Sequence, residues 1–69
     1  MARAVTSCRV QGGTVYIYDE NGGLFDVRAF CEPVSATAFG TGVSITSKNL
    51  CFTYMLQDGR LEETGIHQA

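Results

Sequence analysis

The sequence predicts an all-β domain of about six short antiparallel strands in two three-stranded meanders, arranged as propeller-blade-like units or as a small sandwich or barrel. Two observations support this fold class. Apolar and polar residues alternate with a period of two in several runs, in which β-branched and aromatic residues are frequent. Short turns rich in glycine, asparagine and aspartate separate these runs. A chain of 69 residues forms a single domain, 1–69.

Residues typical of tight turns bound the predicted strands. The strands are predicted at residues 4–10, 14–18, 24–30, 42–46, 50–55 and 60–66. The turns inside the two meanders contain Gly12-Gly13, Asn21-Gly22, Lys48-Asn49 and Asp58-Gly59. Glycine and asparagine tolerate the positive φ that hairpin turns require. Residues 31–38 are predicted to form a linker outside the sheet, because Pro33 has no N–H to donate to a strand ladder.

The two predicted meanders have similar sequences, which indicates an internal repeat of approximately residues 4–30 and 39–66 around the linker. Val15 aligns with Leu50, and Ile17 aligns with Phe52 at the same offset. Each unit reads as a strand, a short polar turn, an apolar strand that ends in tyrosine, a second turn and a strand that starts near leucine. A repeated unit of this kind is a duplication signal. The alternative is a chance similarity between two hairpins.

The second predicted strand, residues 14–18, is apolar on both faces. Val15 and Ile17 alternate with Tyr16 and Tyr18, so each pair occupies one face. Such a strand needs cover on both sides, whereas two packed sheets cover only one side of each other. A domain of this size also buries only about 60% of the surface that its unfolded chain exposes. The sequence therefore predicts a homo-oligomer in which a second chain covers the other face.

The charge and cysteine content exclude several classes of protein. The net charge is −2 and the five basic residues are dispersed, so no nucleic-acid partner is expected, because such binding needs a basic patch. No segment approaches the roughly 20 apolar residues of a membrane helix, so no membrane partner is expected either. The three cysteines, Cys8, Cys31 and Cys51, have no close pair. We interpret them as free thiols that pack as small buried hydrophobic residues in a cytoplasmic protein.

The segment VQGGTVYIYDENGGLFDV, residues 10–27, resembles the β-propeller-blade-like repeats of short bacterial or phage proteins. It is similar to the hairpin pattern V-x-x-G-x-x-V-x-V-Y-D-x-x-G-x-L. The second unit, residues 45–64, lacks the first glycine and has Tyr54-Met55 where aspartate would follow tyrosine. The resemblance implies two blades per chain, so several chains would be needed to close a ring of about four to eight blades. It carries over no functional residue, because only scaffold positions match.

Residues with metal-binding or catalytic side chains are few and poorly spaced. Residues 19–21 could supply oxygen ligands to a cation, but they lack the spacing of a calcium loop and fit hydrogen bonds within a turn better. The three cysteines and His67 lack the close C-x2–4-C pairs of zinc sites. Adjacent Glu62 and Glu63 point to opposite faces of a strand and cannot act as a pair. We therefore predict no catalytic residue, no metal and no cofactor.

Tyrosine and arginine side chains remain as candidates for a binding or interface surface, because both residue types are frequent interface anchors. They are Tyr16, Tyr18, Arg28, Tyr54 and Arg60. Core packing, the homo-oligomer interface and an external ligand are the alternatives. The predicted function is that of a non-catalytic interaction or scaffold protein that assembles as a homo-oligomer, such as a bacterial or phage accessory protein. The alternative is a small-molecule or carbohydrate (sugar) binding module with sites between repeats or subunits. An enzyme is a second, less favoured alternative.

Overall fold

The computed structural model describes residues 4–68 and contains two antiparallel sheets. Sheet A consists of β1 (Val5–Gln11), β2 (Thr14–Asp19) and β3 (Leu24–Ala29), in that spatial order. Sheet B consists of β4 (Val34–Ala38), β5 (Gly42–Ser47), β6 (Leu50–Gln57) and β7 (Arg60–Gln68). Neighbouring strands are consecutive in the chain, so both sheets are meanders. The predicted all-β class is confirmed, and no helix occurs in residues 4–68.

Strands β2, β3, β5, β6 and β7 each begin at the predicted residue. The turn before each of them contains residues with positive φ, a conformation that ends one strand and reverses the chain. These residues are Gly12, Gly13, Gly22, Gly40, Lys48, Asp58 and Gly59. Turn chemistry therefore determines the strand boundaries in this chain.

The prediction that residues 31–38 form a linker outside the sheet is wrong. Residues Val34–Ala38 form β4, which pairs with β5 and makes sheet B four-stranded. Pro33 directly precedes the strand, where a missing N–H interrupts no ladder. The inward positions of β4 are Val34, Ala36 and Ala38, and two of these are too small to give a visible apolar alternation.

The inner faces of the two sheets pack around a small core. Its buried residues are Val5, Val15, Ile17, Val43, Ile45, Tyr54 and Leu61. At one side of this sandwich, Val5 and Gly40 exchange backbone hydrogen bonds with N–O distances of 3.0 and 2.9 Å, which joins the start of β1 to the residues after β4. At the other side, Arg28 and Phe30 approach β6 and β7. The two sheets therefore contact each other through side chains and one backbone bridge.

Strands β5 and β6 approach each other closely at Gly42. A Cβ atom at this position would overlap with the backbone carbonyl oxygen of Tyr54 and would lie 3.0 Å from Sδ of Met55. Gly42 is buried and pairs with Met55 in the ladder. The close approach therefore requires a residue without a side chain.

The side chains of β2 and β6 divide between two faces as predicted, and the structure shows which face is inside. Val15 and Ile17 are buried in the core, whereas Tyr16 and Tyr18 lie on the opposite, outer face of sheet A. In β6 the inner residues are Leu50, Phe52 and Tyr54, and the outer residues are Cys51, Thr53 and Met55. Sheet A therefore has an aromatic outer face, and the outer face of β6 carries sulfur and hydroxyl groups.

Sheet B is longer than sheet A, because β6 and β7 have eight and nine residues whereas β2 and β3 have six each. Leu50, Phe52 and Ile66 lie on the inner face of sheet B, since Phe52 pairs with both Ile45 and Ile66. Leu50 is nevertheless 42% exposed, and Ile66 is 51% exposed. We call this uncovered part of the inner face the overhang.

The internal repeat and the resemblance to propeller blades stay predictions. The triplets β1–β2–β3 and β5–β6–β7 are both meanders, as a duplication would require, but a meander is a common arrangement. Within residues 4–68, no helix is present that could cross a membrane.

Candidate functional site

The five predicted interface residues lie in three different places. Tyr16 and Tyr18 lie on the outer face of sheet A, Arg28 and Tyr54 contact each other between the sheets, and Arg60 lies beside the β6–β7 turn. They do not form one surface.

The outer face of sheet A carries an exposed apolar patch that we call the tyrosine face. Its members lie in two adjacent rungs of the sheet, Arg9–Tyr16–Val27 and Ser7–Tyr18–Leu24. Both tyrosines are half-buried, while Leu24 and Val27 are 56% and 43% exposed. The only charged side chain in the two rungs is that of Arg9. Because Val15 and Ile17 are buried in the core, both tyrosines point away from it.

Arg28 and Tyr54 form a contact between the two sheets. The Cζ atom of Arg28 lies 4.9 Å from the Tyr54 ring centroid, and Nη2 donates a hydrogen bond to the Leu61 carbonyl at 3.3 Å. Nε of Arg28 forms an ion pair with Asp26 at 3.0 Å. Burial raises the pKa of the Tyr54 hydroxyl, while the charge of Arg28 opposes that rise and Glu63 adds to it. Both residues therefore have a packing role.

Arg60 is exposed and forms an ion pair with Glu62 at 3.2 Å, on the outer side of β7. Its side chain is 78% exposed, so solvent screens this pair. Glu62 pairs with Met55 and Glu63 with Tyr54 across the ladder, which confirms that the two glutamates point to opposite faces. Arg60 lies far along the chain from the tyrosine face and shares no described contact with it.

The acidic turn between β2 and β3 uses its first carboxylate for hydrogen bonds within the turn. Oδ1 of Asp19 accepts hydrogen bonds from the backbone N–H groups of Asn21 and Gly23, both at 2.9 Å. The Asp19 backbone also closes the hairpin with Gly23. The interpretation of Asp19 as a turn residue is therefore confirmed, whereas Asn21 contributes its backbone N–H to the turn.

Leu50 and Phe52 of the overhang line an open cleft of about 570 Å³. Phe30 and Cys31, which follow β3, also line the cleft, and the β5–β6 turn contributes Lys48 and Asn49. The lining residues are Ala29, Phe30, Cys31, Ser47, Lys48, Asn49, Leu50 and Phe52. Sequence reasoning missed this cleft because its two walls come from segments that are separated by β4 and β5.

The walls of the cleft are mostly apolar and held in place. The rings of Phe30 and Phe52 lie with centroids 5.2 Å apart and tilted by 49°. The hydroxyl of Ser47 donates to the Cys31 carbonyl at 2.6 Å, and the Lys48 N–H donates to the Pro33 carbonyl at 2.9 Å. The β5–β6 turn is therefore tied to the segment that follows β3.

The expectation that all three cysteines are buried is wrong for Cys31. Cys31 is exposed at the cleft, whereas Cys8 and Cys51 are half-buried and all three are free thiols. Burial raises the pKa of the Cys8 thiol and lowers its reactivity. Among residues 4–68, no group of three or more His, Cys, Asp or Glu side chains is arranged to hold a metal ion.

The geometry thus offers two surfaces, the tyrosine face and the cleft. Comparisons of the chain with protein-family models, curated proteins and solved structures gave no significant match. The function is therefore inferred from the two surfaces themselves.

Proposed function

We propose that this chain is a non-catalytic interaction protein that self-associates through its tyrosine face. The observation that carries this is the outward direction of Tyr16 and Tyr18 beside the exposed Leu24 and Val27. Exposed apolar patches of this kind mark interaction sites on soluble proteins. Tyrosine is enriched in interface centres because its ring buries a large area while its hydroxyl stays hydrogen-bonded.

A second copy of the chain is the occupant that we propose for this face. A flat sheet face can meet its own symmetry mate, and two-fold dimers are the commonest homo-oligomers. Small domains with thin cores often gain stability in this way. Here the described residues expose six large hydrophobic side chains against seven hydrophobic residues in the core. Pairing the tyrosine faces would remove Leu24 and Val27 from water.

Three of the carboxylates that could act in acid–base chemistry have structural partners. Asp19 supports a turn, Asp26 pairs with Arg28, and Glu62 pairs with Arg60. His67 is exposed and pairs across the ladder with Cys51. These contacts support a binding role over a catalytic one. The three free thiols, one of them exposed, support a reducing, cytoplasmic location within the same proposal.

The second candidate function is a small-molecule binding module, and the cleft is the observation that favours it. Its volume of about 570 Å³ lies in the range of ligand pockets, which is about 300–1,000 Å³. Its two walls come from the two predicted repeat units and the segment between them. A binding module and a self-associating scaffold are compatible, because the cleft and the tyrosine face use different residues.

Size-exclusion chromatography with light scattering tests self-association. We expect the wild-type chain to elute with at least twice the chain mass at about 100 μM, in the concentration range of moderate-affinity dimers. Val27→Lys adds a charge to the tyrosine face and should shift the mass towards the monomer. Thr37→Lys, an exposed position of β4 in the other sheet, is the matched control and should leave the mass unchanged. A wild-type monomer at this concentration would contradict the proposal.

A further inference from the structure

We propose, building on the binding module above, that the cleft binds a small amphipathic anion with a hydrocarbon body and a carboxylate head. The apolar walls would hold the body, and Lys48 at the rim would pair with the head. This ligand class follows from the shape, the apolar lining and the charge of the cleft, which are taken in turn below.

The walls of the cleft favour a hydrocarbon body. Phe30 and Phe52 form a continuous aromatic surface, and Leu50 beside them is 42% exposed although it lies on the inner face of sheet B. Covering this surface with a ligand would remove apolar area from water, which is the main favourable term in such binding. The Ser47 hydroxyl, which also lines the cleft, already donates to the Cys31 carbonyl. It therefore does not require a polar ligand group.

The charge of the cleft favours an anionic head. Lys48 is exposed at the tip of the β5–β6 turn, and no residue of 4–68 forms an ion pair with its ammonium group. No carboxylate occurs among the lining residues. An anion at the rim would thus meet one positive charge and no negative one, whereas a cation would be repelled.

The backbone at Lys48 supports a role for its side chain. Lys48 has a φ of 55°, a left-handed conformation in which glycine or asparagine is less strained. Its N–H donates to the Pro33 carbonyl at 2.9 Å, so the residue is held at the mouth of the cleft. The turn therefore keeps Lys48 among the residues that line the cleft, where its charge is available to a ligand.

The test is an NMR titration of the full-length ¹⁵N-labelled chain with three ligands of equal chain length: sodium octanoate, 1-octanol and octylammonium chloride at pH 7. We expect saturable shifts at residues 29–31 and 47–52 with octanoate. Octanoate should bind about three- to fivefold more tightly than octanol, since an exposed ion pair contributes about that much. Octylammonium should bind most weakly. As a second readout, octanoate should slow the alkylation of the exposed Cys31 by iodoacetamide.

Three variants test the contributions of the anionic head and the hydrocarbon body of the ligand separately. Lys48→Gln should abolish the preference for octanoate and leave the affinity for octanol unchanged, since it removes the positive charge and keeps a polar side chain. Leu50→Ser should weaken the binding of both ligands. Arg60→Gln removes an exposed cation outside the cleft and should change neither affinity.

Each contrary result has a distinct meaning. Equal affinity for octanoate and octanol in the wild-type chain would contradict the preference for an anionic head and leave the proposed binding module intact. Absence of saturable shifts with all three ligands would overturn both the head and the module. The chemical shifts of residues 29–31 and 47–52 could instead change with protein concentration in the absence of ligand. That result would place a second copy of the chain in the cleft and would contradict the proposed ligand.

Discussion

The guanidinium group of Arg28 covers the ring of Tyr54, with 4.9 Å between Cζ and the ring centroid. The same guanidinium group donates to the Leu61 carbonyl and pairs with Asp26. One side chain of β3 thus contacts both β6 and β7 and joins sheet A to sheet B on the side opposite the Val5–Gly40 bridge. Arg28 and Tyr54 were predicted as interface candidates, and their contact lies between the sheets of one chain.

Arg28→Ala should lower the free energy of unfolding by about 1–2 kcal/mol, because it removes the contact with Tyr54 and the covering of apolar surface by the arginine stem. The ion pair with Asp26 contributes little of this, since both side chains are about one-third exposed. Arg60→Ala is the control and should change stability by less than about 0.5 kcal/mol, because its ion pair is exposed. Urea denaturation measures both. Equal effects would contradict the role of Arg28.

Stability should fall as the pH rises above about 10, the ordinary pKa of tyrosine, because burial raises the pKa of Tyr54 in the folded state. The folded chain then holds its proton where the unfolded chain has released it, so the unfolded state gains stability as the pH rises through this window. Tyr54→Phe should flatten the decline in melting temperature between about pH 9.5 and pH 11. Burial also raises the pKa of Cys8, so both proteins should carry Cys8→Ala. Parallel declines would contradict the prediction.

Asp19→Ala should destabilise the protein by about 1–3 kcal/mol, because the backbone N–H groups of Asn21 and Gly23 lose the acceptor that Oδ1 provides. Asp19→Asn keeps one side-chain oxygen and should lose less. Thermal and urea denaturation compare the two variants with the wild type. If Asp19→Asn and Asp19→Ala lower the free energy of unfolding equally, the carboxylate charge and not the hydrogen bonds would stabilise the turn.

Gly42→Ala should destabilise the protein by about 1–3 kcal/mol or prevent folding, because the new methyl group would overlap with the Tyr54 carbonyl oxygen. Gly65→Ala in β7 is the matched control, since no atom lies within 4 Å of a Cβ placed there. The control should be neutral or slightly stabilising, because alanine restricts the unfolded chain more than glycine does. Similar losses in both variants would mean that β5 and β6 can separate at Gly42.

The starts of five strands were predictable because they depend on local chemistry. Gly22, Lys48 and Asp58 adopt positive φ within two residues of the next strand, and their turns are visible in the sequence. Strand β4 was not predictable in the same way. Its inward residues Ala36 and Ala38 are small and give little apolar contrast with their neighbours. Pro33 argues against a strand unless it is known to lie just before the first strand residue, Val34.

The site was less predictable, because its geometry depends on how the two sheets meet. The alternation in β2 separates Tyr16 from Ile17 but does not say which face is inside when both are apolar. Packing against sheet B selects the valine and isoleucine face, whose side chains are fully buried. The cleft depends on a difference in strand length between the two sheets, and this difference has no signature in a single segment.

Each strand ladder joins strands that are consecutive in the chain, so the hairpins close short loops and cost little entropy. The contacts between the sheets, such as the Val5–Gly40 bridge and the contact between Arg28 and Leu61, join distant segments. Val5→Ala, in the contact between sheets, should therefore slow stopped-flow refolding more than Thr53→Ala within a hairpin. The slow step for this chain is then the docking of two preformed meanders, and its rate depends on how quickly distant segments meet.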